Sequence, residues 1–112
     1  MNTKDIGTLG EAKAIAFYVE LGYEVSIPIG DRRPYDLIVE RGGWCSCVQV
    51  KCTMGHEVDL RISGGNKSKD THKKYIIGDF DVLCIVKITD CETKFFTFKA
   101  EDVIGRSSIT VR

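Results

Sequence analysis

The sequence predicts an α/β domain in which a mixed, mostly antiparallel sheet is flanked by helices. Three observations carry this. One stretch near the N-terminus has a helical apolar period. A series of segments with strand alternation follows it, and two of these are joined by a link too short for anything but a hairpin. The 112 residues suit one compact domain, and with 43% hydrophobic and 29% charged residues the chain can bury a core.

The helix is expected over residues 9–21, LGEAKAIAFYVEL. Leu9, Ala12, Ala16 and Val19 form one stripe, and Ile15, Phe17, Tyr18 and Leu21 widen it until most of the circumference is apolar. Gly22 follows, where a left-handed terminus favours a residue without a side chain. Thr8-Leu9-Gly10-Glu11 also has the form of a capping box, in which Glu11 reaches back to Thr8.

A first strand over 24–29 alternates Val25, Ile27 and Ile29 with Ser26 and Pro28. Asp31-Arg32-Arg33-Pro34 forms a loop, and 35–40 is a second strand. Arg41-Gly42-Gly43 turns the chain back into a third over 44–52. Residues 64–70 are the most loop-like of the chain, and a second helical turn is expected around 68–76. The apolar run 80–88 reads as a strand buried on both faces, and 94–99 as its alternating successor.

Sixteen basic and sixteen acidic residues cancel, which excludes a protein that coats nucleic acid or anionic membrane by bulk charge. Contact with such a partner must be local. The basic segment Arg61, Lys67, Lys69, Lys73 and Lys74, with Arg32 and Arg33 before the second strand, is the candidate phosphate-contacting surface. For any single lysine, a solvated loop is the ordinary alternative. No apolar run approaches the ~20 residues of a membrane-spanning helix. Residues 1–5 lack the order of a signal peptide, and five cysteines cannot all pair within the chain, so a soluble, cytoplasmic protein with reduced thiols is expected.

On the third strand Cys45, Cys47, Gln49 and Lys51 share one face, and Trp44, Ser46, Val48, Val50 and Cys52 share the other. Asp36 opens the neighbouring strand, so a carboxylate, an amide and an ammonium can converge at one end of the sheet, with Glu11 added by the helix. Taken singly, Asp36 could be a turn residue, and Gln49 and Lys51 the exposed polar face of a hairpin. Cys45, Cys47 and Cys52 with His56 and His72 invite a zinc site but lack a CxxC pair. Gly64-Gly65 lacks the Lys-Ser/Thr of a phosphate loop.

Glu11 on a first helix, Pro34-Tyr35-Asp36 opening a strand and Gln49-Val50-Lys51 on the next resemble the PD-(D/E)xK nuclease superfamily, with glutamine in place of the second acidic residue. The likeness is nearest to the small intron-encoded homing endonucleases and the Holliday-junction-resolvase-like endonucleases. It runs through residues 8–53 and more loosely through 75–103, where Gly78-Asp79-Phe80-Asp81 leads into an apolar strand. The resemblance implies a restriction-endonuclease-like core, with residues 1–112 forming a single nuclease-like domain. It implies Glu11, Asp36, Gln49 and Lys51 as catalytic residues. Asp36, Glu11, the Val50 backbone carbonyl and Gln49 would be the ligands of Mg2+, with Mn2+ as a substitute. Lys51 would orient the attacking water and stabilise the transition state. The activity implied is Mg2+-dependent hydrolysis of double-stranded or branched DNA by a homodimer or higher homo-oligomer, since one site must be doubled to cut both strands. Because Gln49 removes a charge from the site, a catalytically inactive DNA-binding module is the alternative. A structural protein using its cysteine-rich strand at an interface is the third reading.

Overall fold

The computed structural model describes residues 1–30, 32–63 and 72–112. The whole of the glycine-rich loop expected at 64–70, with Lys67 and Lys69, lies outside the described residues, as does Asp31.

Helix α1 spans Thr3–Glu20, so it starts well before the expected residue 9. Its first turns carry no apolar period; a cap sets the start, because the Asn2 side chain accepts from the Asp5 N–H at 2.9 Å. Thr8 is therefore inside the helix, where its hydroxyl donates to the Lys4 carbonyl at 3.1 Å. The capping box is corrected on that ground, and Glu11 is not a cap residue. The buried stripe is Gly10, Ala14 and Tyr18, whereas Ala12, Ala16 and Val19 of the expected stripe are exposed. Close approach explains the choice: a Cβ added at Gly10 would lie 2.6 Å from the Cβ of Cys52, so only glycine lets the helix rest there. Gly22 ends the helix at a φ of +90°, as expected.

Strands β1 (Glu24–Ser26), β2 (Leu37–Arg41) and β3 (Trp44–Thr53) precede three short strands, β4 (Glu57–Asp59), β5 (Arg61–Ser63) and β6 (His72–Lys74). Then come β7 (Val82–Ile88), β8 (Thr93–Lys99), α2 (Ala100–Val103) and β9 (Ser108–Thr110). The main sheet has the order β1-β2-β3-β7-β8, antiparallel throughout except for the parallel β3–β7 pair. β4 pairs with β9, and β5 with β6. The helical turn expected at 68–76 is corrected over 72–76, residues 68–71 lying outside the described residues: 72–74 are extended and register against 61–63, and strand pairing there outweighs any local helical preference. β1 stops before Pro28, which has no N–H to give the ladder. Gly42 and Gly43 both have positive φ, the pair of angles that a two-residue hairpin turn requires.

Two apolar layers enclose the sheet. Under α1 lie Leu37, Val39, Val48, Val50, Cys84 and Val86. The opposite face buries Leu83 and Ile85 against Val58, Leu60, Val103 and Ile109. Among the described residues no helix is long and apolar enough to cross a membrane.

Candidate active site

Strand β3 is staggered between its neighbours. β2 pairs with residues 44–48 and β7 with residues 48–53, so only Val48 is laddered on both sides. Where β2 leaves, the N–H and C=O of Val50 lose the strand partner that Val48 keeps. Side chains replace it. The Asp36 N–H still donates to the Val48 carbonyl at 2.8 Å, and Asp36 Oδ2 accepts from the Val50 N–H at 2.8 Å. The Val50 carbonyl accepts from Gln49 Nε2 at 3.1 Å. An unpaired backbone group below the surface is costly, and this fork satisfies both with polar side chains from adjacent positions.

Gln49 is only 8% exposed and Lys51 half-buried, so neither belongs to an exposed polar face. Burial pushes the Lys51 ammonium pKa down, against the opposing pull of Asp36 and Asp59. Burial likewise raises the Asp36 carboxyl, against the Val50 N–H and Lys51, which favour its charge. Both shifts have the sign of groups held short of solvent, as residues poised for chemistry are. Lys51 Nζ stands 5.5 Å from the ring centre of Tyr75, whose hydroxyl burial pushes up to about 12 with help from Asp36, Asp79 and Asp59. Glu11 lines two adjoining clefts, one with Val50 and Lys51 and the other with Asp36 and Arg33. Thus Glu11, Asp36, Gln49, Val50 and Lys51, spread over 41 positions of sequence, meet at one fork.

Of the basic residues, Arg33 borders this cleft and Arg32 the next; Lys73 and Lys74 are exposed on β6. Arg61 is engaged otherwise: its guanidinium grips Asp59 through Nε at 3.1 Å and Nη2 at 3.0 Å. Among the described residues no group of three or more His, Cys, Asp and Glu side chains is arranged to hold a metal, which removes the zinc reading for Cys45, Cys47, Cys52 and His56. Tyr75 and Gly10 escape sequence reasoning. Tyr75 is a lone aromatic directly after the basic segment, and Gly10 opens the i, i+4 series of Gly10, Ala14 and Tyr18 that marks a close helix contact.

A glutamate-bearing helix laid on a sheet whose central strand carries Gln49-Val50-Lys51 beside Asp36 defines a nuclease of the PD-(D/E)XK class. The chain matches the PD-(D/E)XK endonuclease family over residues 1–112 and belongs to it. It is similar to Protein 5.3 of Escherichia phage T7, with 29% identity over 118 aligned positions that take in 99% of this chain and 92% of the relative. Its fold is similar to that of a solved bacterial homing endonuclease, I-Ssp6803I, at a TM-score of 0.85 and 28% identity, covering 100% of this chain and 79% of that one.

Proposed function

We propose that the chain is a Mg2+-dependent endodeoxyribonuclease that hydrolyses phosphodiester bonds in double-stranded or branched DNA, in the manner of a homing endonuclease or a Holliday-junction resolvase. The observation that carries this is the fork at Val50. The donors gathered there are two carboxylates, a backbone carbonyl and a side-chain amide, an all-oxygen set that suits magnesium or manganese and not zinc. Asp36 commits Oδ2 to the Val50 N–H, and among the described residues no hydrogen bond takes up Oδ1, which would serve a ligand; Glu11 approaches from the helix. Magnesium held by Asp36, Glu11, the Val50 carbonyl and Gln49 would supply charge neutralisation at phosphate and a more acidic water.

The chain's own residues do the rest. Lys51, drawn electrostatically by Asp36 and 5.5 Å from the centre of the Tyr75 ring, orients the water and offsets the charge that grows on the phosphate oxygens as one P–O bond forms and the other breaks. Arg32, Arg33, Lys73 and Lys74 hold flanking phosphates, with Lys67 and Lys69 as further sequence candidates. Arg61 joins them by exchanging Asp59 for phosphate. A homodimer or higher homo-oligomer supplies the second site needed for both strands. Five free cysteines suit a reducing, cytoplasmic compartment.

One observation favours a second reading, a catalytically inactive DNA-binding module: Gln49 presents its NH2 to the Val50 carbonyl, where a cation would otherwise be. Turning the amide over presents Oε1 instead, which restores a ligand. Incubation with plasmid, a synthetic four-way junction and single-stranded DNA separates the readings. Nicking or cutting that requires Mg2+ or Mn2+ supports the nuclease. Binding without cleavage in both ions supports the module.

A further inference from the structure

Four isoleucines are exposed on two segments that border the fork. Ile76 and Ile77 follow Tyr75, whose ring stands over Lys51; Ile27 lines the cleft of Glu11 and Asp36, and Ile29 lines the next one with Arg32 and Arg33. The first segment is a closed turn. The Asp79 N–H donates to the Ile76 carbonyl at 3.1 Å, the Ile76 N–H donates back to Asp79 Oδ2 at 2.9 Å, and Gly78 supplies the φ of +102° such a turn needs at its third residue. Tyr75 and Phe80 on either side are buried in edge-to-face contact at 5.1 Å, so the turn is anchored at both ends while Ile77, at its outer corner, remains 69% exposed.

A single exposed aliphatic residue is ordinary. Here two pairs flank one site, and each pair has two cations beside it in sequence, Arg32 and Arg33 for one and Lys73 and Lys74 for the other. Cations pull in a phosphate backbone, and aliphatic tips between them have the chemistry of wedges that enter a groove and part a base step.

We propose that Ile77 and Ile29 are DNA-distorting wedges: on binding they press into the groove on either side of the scissile phosphate and unstack the adjoining steps. The occupant is duplex DNA, chosen over a second copy of this chain because each apolar pair has two cations close to it in sequence, while Asp79 beside Ile77 spends Oδ2 on the Ile76 N–H inside the turn. Specificity then includes deformability, with cutting favoured near TA and CA/TG steps, which unstack most readily. This inference rests on the nuclease reading above.

The test maps a cut site on plasmid, then places 2-aminopurine at each step around it in a 30-base-pair duplex and measures binding with Ca2+ in place of Mg2+. Wild-type protein should raise the fluorescence several-fold at one or two steps beside the cut. Ile77→Ala and Ile29→Ala should each abolish the rise at one step and weaken binding about tenfold, with the salt slope unchanged because no phosphate contact is lost. Ile77→Leu should restore most of the signal, and Lys73→Ala should lower the slope while keeping the fluorescence. A wild-type protein that cuts DNA while both alanine variants bind and unstack it normally overturns the wedges alone. Variants that turn an oligomer into a folded monomer overturn them too, by making the face a subunit interface. A wild-type protein that neither binds nor cuts DNA overturns the nuclease reading and the wedges with it.

Discussion

Strand β3 meets an aspartate on each side, and the two are built alike. At one fork Asp36 donates its N–H to the Val48 carbonyl and accepts the Val50 N–H on Oδ2; at the other, Asp81 donates to the Cys47 carbonyl and accepts the Cys47 N–H on Oδ2, with all four bonds at 2.8 Å. Each replaces a strand that has ended or not yet begun. The surroundings differ. Asp36 is half-buried beside Lys51, Gln49 and the clefts of Glu11, whereas Asp81 is exposed and its carbonyl accepts from Ala100, the start of α2. Capping a frayed strand is thus a structural device, and it becomes a candidate active site only where burial gathers further charged groups on it.

Replacing the two aspartates tests that difference most severely. Asp36→Ala should lower cleavage by about 10³-fold or more while the circular dichroism spectrum stays that of the wild type; Asp81→Ala should leave kcat within about twofold and cost about 1 kcal/mol of stability. Equal losses of activity from both would abolish the distinction between the forks. Leu37→Ala, next to Asp36 but beneath α1, should destabilise by about 2–5 kcal/mol in urea unfolding, with cleavage by the folded fraction preserved. Gln49→Glu should tighten Mg2+ binding about tenfold and Gln49→Ala weaken it, as read by metal titration; no change in either would place the side chain outside the ligand set.

Lys51→Met sharpens the contrast through stability. The folded Lys51 pKa lies below its ordinary 10.5, so the unfolded chain takes up this proton first as pH falls. Wild-type stability should accordingly drop between pH 10.5 and that lowered pKa and stay reduced below it. The methionine variant should be inactive, have the higher Tm at pH 7, and lose that advantage as pH rises towards 10.5. Smallest of all, neutralising Lys73 or Lys74 should lower the slope of log K against log salt by about 1 without changing the preference between sequences.

Several parts of this molecule are legible in one dimension because their causes are local. Gly42-Gly43 has the composition of a tight hairpin turn, and the run 80–88 that of a strand covered on both faces, of which 82–88 form β7. The first turns of α1 are not legible by apolar period, since Asn2 and not burial sets their start. β5 and β6 are not legible either: three residues have no period of their own, and each exists because the other lies beside it.

At the candidate site the amino-acid sequence alone determined which groups are available: Glu11 on a helix, Asp36 before a strand, and Gln49 and Lys51 two residues apart on the next. Tertiary structure alone decided that they meet, that Val50 offers an unladdered N–H and C=O, that Tyr75 stands over Lys51, and that Gly10 lets the helix lie close enough to bring Glu11 in. The reason is physical. Residue type and local spacing act over a few bonds, whereas the stagger of three strands and the burial that shifts Asp36 and Lys51 are set by contacts between segments distant in the chain.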